Sequence, residues 1–275
     1  MPTPRTYHFI SGLPRSGSTL LSAILRQNPR FHADISSPVN PFVSGVLNTV
    51  SAGGEFGPAV TPAQRRNMMR GLFDSYYQDL PANQVVFDTN RGWCAKMPAL
   101  ADVFPQSKVI ACVRDVAWVM DSLERRFRTD PFENTKLFND DIERNTVFSR
   151  VDTLGQRNRL VGYAWSALKE AFYGEQAASL LVVEYELLAK TPEKVLPLIY
   201  QFIGEPHFAH DFSHLAFDKP EFDANLGLPG MHKVRNKVSF ESRTTILPPD
   251  LFANYANMRF WQDTSNSRAN VITAS

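Results

Sequence analysis

Residues 7–26 read YHFISGLPRSGSTLLSAILR. The first five, Tyr7 to Ser11, are mostly aromatic and branched and stop at a glycine, the signature of a short buried strand over 7–11. From Thr19 onward, Leu20, Leu21, Ile24 and Leu25 recur at helical spacing and predict a helix over 19–26. Between them lies Gly12-Leu13-Pro14-Arg15-Ser16-Gly17-Ser18-Thr19. This fits G-x-x-x-x-G-K-[ST] everywhere except at Ser18, which stands where a nucleoside-triphosphate P-loop has lysine. Glycines let such a turn aim several N–H groups inward, and the following helix adds the positive end of its dipole. The hydroxyls of Ser16, Ser18 and Thr19 are further candidate donors. The cation has moved to Arg15, whose planar guanidinium can grip an oxyanion with two parallel bonds. The stretch therefore predicts an anion-binding turn between strand and helix.

Outward from this unit, strands and helices alternate. Strands are expected over 84–87, 108–113 and 180–183. The second of these, around Val109-Ile110-Ala111-Cys112-Val113, is apolar on both faces, as in a covered parallel sheet. Helices are expected over 61–78 (Thr61 as cap and Pro62 at the first position), from Val116 to Phe127, from Val161 to Phe172, over 191–204 and over 248–260. The segments 31–60 and 128–157 read as irregular excursions, and 205–245 as mixed. This alternation predicts an α/β single domain over 1–262, a central parallel β-sheet flanked by helices, with a polar tail over 263–275 outside it, expected to be disordered. Ligands of such sheets bind beyond the carboxyl ends of the strands.

Composition narrows the function classes. The chain has 275 residues, 29 Lys plus Arg against 28 Asp plus Glu, and a formal net charge of +1. No nucleic-acid or membrane surface is expected from such a balance, so any anion site must be local. Cys94 and Cys112 lie in apolar stretches and read as buried thiols rather than a disulfide framework. No stretch nears the run of about 18 apolar residues of a membrane span, and the N-terminus lacks the apolar run of a signal peptide. A reduced, cytoplasmic setting is the expectation. No cluster of metal ligands stands out, and no metal is expected.

G-x-P-R-S-G-[ST]-T-L resembles the 5′-phosphosulfate-binding motif of the sulfotransferases that use 3′-phosphoadenosine 5′-phosphosulfate (PAPS). It is most similar to the bacterial and protein-tyrosine branches, which carry Pro-Arg there. The family's second motif is an Arg at a strand end and a Ser eight residues later, both on the donor's 3′-phosphate. Here Arg114 ends the clearest strand and Ser122 follows at that spacing; eight helical residues rise about 12 Å, so their meeting on one phosphate is what the resemblance implies. Phe104-Pro105-x-x-Lys108 and the run from Val183 to Glu186 also resemble family segments, and by that likeness Tyr185 lies near the adenine. Glu184 stands where the family often has Arg. The cluster His232-Lys233-Val234-Arg235-Asn236-Lys237 falls where the family places a basic loop over the donor, which makes Lys233 and Arg235 donor-binding candidates.

The resemblance thus implies a P-loop-like fold and a sulfotransferase that moves the sulfuryl group of PAPS to an acceptor, a hydroxyl before an amine. The product would be adenosine 3′,5′-bisphosphate (PAP), and Arg15 would stabilise the leaving phosphate. A general base for the acceptor does not carry over. A gapless alignment puts Ser36, with Ser37 next, where the protein-tyrosine branch has Glu, and Asn90 where the cytosolic branch has His. Asp88, ending the 84–87 strand, is the leading candidate, with His32 and Asp34 in reserve. Arg91 and Lys96 are alternative second cations at the sulfuryl group. Phe31, Phe42, Phe132 and Phe138 in the two excursions suggest a partly apolar small-molecule acceptor. Two rivals remain: a P-loop kinase-like enzyme, which Ser18 disfavours, and a non-catalytic nucleotide-binding protein.

Overall fold

The computed structural model describes residues 5–273 except 52, 54, 130–134, 216, 218–222 and 224–231. Its strands are β1 (Thr6–Gly12), β2 (Phe31–Ala33), β3 (Val85–Thr89), β4 (Val109–Val113), β5 (Leu180–Glu184) and β6 (Asn270–Ile272). They form one parallel sheet in the order β2-β3-β1-β4-β5-β6. The helices are α1 (Ser18–Leu25), α2 (Val39–Val50), α3 (Pro62–Tyr76), α4 (Met97–Val103), α5 (Val116–Phe127), α6 (Asp141–Arg144), α7 (Val147–Gly155), α8 (Leu160–Tyr173), α9 (Tyr185–Lys190), α10 (Pro192–Ile203) and α11 (Pro249–Tyr255).

Side chains alternate across a strand with period two, so an apolar run serves two faces at once. Tyr7 and Phe9 of β1, Val109, Ala111 and Val113 of β4, and Leu180 and Val182 of β5 enter one core, with Phe73 of α3, Val119 of α5 and Leu168 of α8. Ile10, Ile110, Cys112, Leu181 and Val183 enter the opposite core, against Leu21 and Ile24 of α1 and Leu196 and Ile199 of α10. The two-faced α/β architecture expected from the sequence is what forms. Burial pushes the thiols of Cys94 and Cys112 up to about 11 and about 12, in line with the buried thiols expected.

Local signals set several boundaries. Thr61 caps α3 through a reciprocal pair with Gln64, and Pro62 opens it. Gly204, at φ 75°, closes α10. Elsewhere the expectation needs correction. The 31–60 excursion holds β2 and α2, whose buried stripe of Val39, Val43 and Val50 is diluted by Ser, Pro and Gly. The 128–157 excursion holds α7, capped by Thr146 and pinned by a buried pair between Arg150 and Glu124. The last helix ends at Tyr255 rather than 260, two residues before Asn257 takes a positive φ. The polar tail is not outside the domain: Asn270–Ile272 pairs with β5 at the sheet edge. A three-residue edge strand carries too little periodicity to be read from sequence.

The closest backbone approach that matters for the site lies between β1 and β4, where Gly12 faces Cys112. Gly12 has φ 104°, and a Cβ built on it would lie 2.1 Å from the Cys112 carbonyl oxygen. Any side chain here must push the strands apart while adopting a backbone that L residues avoid. Gly12→Ala is expected to cost on the order of 3 kcal/mol in urea unfolding. A cost below about 0.5 kcal/mol, the range of an ordinary surface substitution, would contradict this packing.

Candidate active site

The carboxyl ends of β1, β3, β4 and β5 open into one cleft of about 630 Å³. Its floor is the 12–19 turn. Leu13 donates its N–H to the Cys112 carbonyl at 2.9 Å. The Ser16 hydroxyl sits between the carbonyls of Leu13 and Cys112, 2.7 Å from the latter. Ser16 is fully buried and does not line the cleft. Its hydroxyl therefore stitches the turn to β4 instead of serving a ligand, which corrects its expected role. Gly12, Arg15, Gly17, Ser18 and Thr19 do line the cleft. Gly17, at φ 94°, is the N-cap of α1, and a Cβ there would meet the Tyr185 ring at 2.8 Å. Arg15 is held at φ 59°, a left-handed backbone that non-glycine residues adopt at a cost of about 1–3 kcal/mol. The turn thus aims a specific side chain: Arg15 Nε donates to Ser122 Oγ at 3.1 Å. Burial, with Arg126 and then Arg243 adding repulsion, lowers the Arg15 guanidinium to about 10, still cationic at neutral pH.

The second motif converges on the same cleft. Arg114 is buried, donates from Nε to Glu186 at 3.0 Å, and lies 4.7 Å from the centre of the Tyr185 ring. The carboxylates close to it in sequence, Asp115 and Asp121, are engaged elsewhere. Asp115 caps α5, and Asp121 takes Arg125, Arg243, Thr245 and the Ile246 N–H. Ser122 lines the cleft with Arg125, Arg126 and Thr129. These four are spaced i, i+3, i+4 and i+7, one face of α5 and its C-terminal extension. The two arginines were missed in sequence, although helical spacing from Ser122 is a sufficient signal for them. Arg243 was also missed, and no local pattern announces it. Tyr185, Lys233 and Arg235 also line the cleft, Arg235 paired with Glu241.

The remaining candidates separate. Arg91 lines the cleft, whereas Lys96, from the same 3-10 turn, is not among the lining residues. Asp88 is buried away from the cleft. It accepts hydrogen bonds from Ser37 at 2.6 Å, Tyr77 at 2.7 Å and Trp93 at 2.7 Å, and burial raises its pKa. The reason is strand parity: Asp88 shares the face of Val86, which belongs to the core under α3. Asp88 as general base is therefore corrected to a buried structural carboxylate. His32 and Asp34 do not line the cleft; Ser36 and Asn90 do. The apolar-acceptor hint also weakens. Phe31 and Phe138 are core residues, Phe42 is half exposed on α2, and Phe132 lies outside the described residues.

Charge distinguishes this cleft from the rest of the molecule. Among the described lining residues nine are Arg or Lys and one, Glu241, is a carboxylate, on a chain whose net charge is +1. Such a site is built for a ligand with several negative charges. Among the described residues, no group of three or more His, Cys, Asp or Glu is placed to hold a metal ion, and no helix is long and apolar enough to cross a membrane.

Comparisons with known proteins bear on the family and the fold. A model of the sulfotransferase family matches residues 8–210. No curated protein sequence matches the chain. A solved sulfotransferase from Alicyclobacillus acidocaldarius is 18% identical, covering 82% of this chain and 90% of its own, with a TM-score of 0.52. The sulfotransferase domain of the Synechococcus PCC 7002 olefin synthase is 18% identical over 100% of this chain and 91% of its own, with a TM-score of 0.44. A sulfotransferase from Mycobacterium avium is 16% identical over 98% and 79%, with a TM-score of 0.49. At these identities the first of the three supports the fold alone.

Asp88→Asn is expected to lower unfolding stability by about 2–3 kcal/mol, since a buried acceptor of three hydrogen bonds is replaced by a group that must also donate. Affinity for PAP, used as an anion probe in calorimetry, should stay within about threefold. Unchanged stability with lost affinity would return Asp88 to the site.

Proposed function

The chain belongs to the sulfotransferase family and is an enzyme that transfers sulfuryl groups, and from that premise we propose that its donor is PAPS and its acceptor a hydroxyl of a small molecule. The observation that carries this reading is the convergence of both phosphate motifs on one cationic cleft. Gly12, Gly17, Ser18, Thr19 and Arg15 suit the 5′-phosphosulfate, because backbone N–H groups and the start of α1 favour an oxyanion there. Arg114 and Ser122, with Arg125 and Arg126 beside them, suit the 3′-phosphate. Tyr185, fixed between Gly17 and Arg114, suits the adenine end. Lys233 and Arg235 would close over the donor. Family membership replaces the kinase-like and non-catalytic readings.

Sulfuryl transfer proceeds by in-line displacement. The acceptor oxygen bonds to sulfur as the bridging bond to the 5′-phosphate oxygen breaks, and negative charge grows on the departing phosphate. The protein's work is then positioning and charge stabilisation. Arg15 is placed for that charge, and Arg91, which lines the cleft where Lys96 does not, is the better-placed of the two second cations for the sulfuryl oxygens.

Calorimetric titration with PAP and, separately, with ATP plus Mg²⁺ tests the donor. Wild type is expected to bind PAP far more tightly than ATP, and Arg114→Ala to lose at least about tenfold of the PAP affinity, the value of a buried charge-assisted contact. Better binding of ATP, or an indifferent Arg114, would overturn the donor assignment.

A further inference from the structure

The acceptor needs a group to take its proton, and the carboxylate expected to do so, Asp88, is buried on the core face of β3. Among the described residues that line the cleft, the candidates for that group are one carboxylate, one phenol and one imidazole. Glu241 is exposed and paired with Arg235. The Tyr185 phenol packs over Gly17 and against Arg114. His232 is the remaining one. Its surroundings are unlike those of a surface histidine in a basic loop. Asp223, almost wholly buried, accepts the His232 backbone N–H at 2.8 Å with one carboxylate oxygen and faces ring Nδ1 at 2.5 Å with the other. This two-point grip fixes both the backbone and the ring.

We propose that His232 is the general base of sulfuryl transfer and that Asp223 is its positioning residue. The assignment rests on the sulfotransferase reading of the cleft given above. With Nδ1–H donated to the carboxylate, the lone pair of the imidazole resides on Nε2. As the acceptor oxygen bonds to sulfur, its proton passes to Nε2. The bridging S–O electrons leave with the 5′-phosphate, and the imidazolium formed is steadied by Asp223 until it returns the proton to water. Asp223 itself takes no proton.

Placement and charge agree with that role. His232 lines the same cleft as Arg15 and Arg91, so the ring shares the site with the loop that would hold the leaving phosphate. Burial lowers the His232 pKa, Asp223 opposes the shift, and Arg15 and Arg91 add to it. The ring is thus neutral, and able to accept a proton, at pH 7.

Three measurements on the full chain decide the matter. In ¹⁵N NMR at pH 7, His232 should carry its proton on Nδ1 with Nε2 unprotonated, and Asp223→Asn should disturb that tautomer while Asp223→Glu restores it. His232→Gln should keep PAP affinity within about threefold in calorimetry, yet lose about 100-fold or more of transfer from PAPS to a primary aliphatic alcohol. Transfer to p-nitrophenol, which ionises without help near neutral pH, should fall far less. A protonated Nε2 in the wild type, parallel losses with the two acceptors, or a fall in PAP affinity matching the fall in rate would overturn the proposal and make His232 a donor-binding residue. Failure of the wild type to bind PAP would instead remove the donor reading, and the base with it.

Discussion

The carbonyl oxygen of Cys112 receives the Leu13 N–H at 2.9 Å and lies 2.7 Å from the Ser16 hydroxyl. It is also the atom that excludes any side chain at Gly12. Through it, the turn after β1 is fastened to the last residues of β4, and β4 leads directly into Arg114. The two anion motifs, about a hundred residues apart in sequence, are thereby built on one backbone junction. The strained Arg15 is tolerated because the residues on either side of it in the turn are already committed to this junction. Its guanidinium then spans to Ser122 on α5, so that the motifs touch through side chains as well.

A cleft whose described lining carries nine cations and one carboxylate would repel itself if left unsupported. The surrounding acids sit just behind the lining. Glu186 holds Arg114. Asp121, fully buried, gathers Arg125 and Arg243 and also ties the segment around Thr245 to α5. Asp223 stands behind His232. Breaking one of these pairs would leave a partly buried charge without its partner, which costs more than the pair contributes. The acids therefore orient the basic groups while leaving the outward face of the cleft positive.

What the sequence disclosed was what its chemistry made local. The strand, the glycine turn and the helix of residues 6–25 are contiguous, and Arg114 follows an apolar run that only a covered strand explains. Directions of side chains were less legible. Asp88 ends a strand, but parity sends it to the core of Val86 rather than to the cleft, and Ser16 turns inward where Ser18 and Thr19 do not. The arginines of α5 were readable by helical spacing from Ser122. The pairing of His232 with Asp223 was not, because the two lie nine positions apart with no periodicity to link them and only the folded chain brings the carboxylate behind the ring. The β6 strand escaped for a similar reason: its partner, β5, lies about ninety residues earlier.

A crystal structure of the protein with adenosine 3′,5′-bisphosphate tests the shared cleft most directly. The 5′-phosphate is expected within hydrogen-bond distance of the backbone N–H groups at Gly17, Ser18 and Thr19, with Arg15 against it, and the 3′-phosphate between Arg114 and Ser122. A bisphosphate bound elsewhere, or bound with its 3′-phosphate turned to solvent and Arg114 still closed on Glu186, would contradict it.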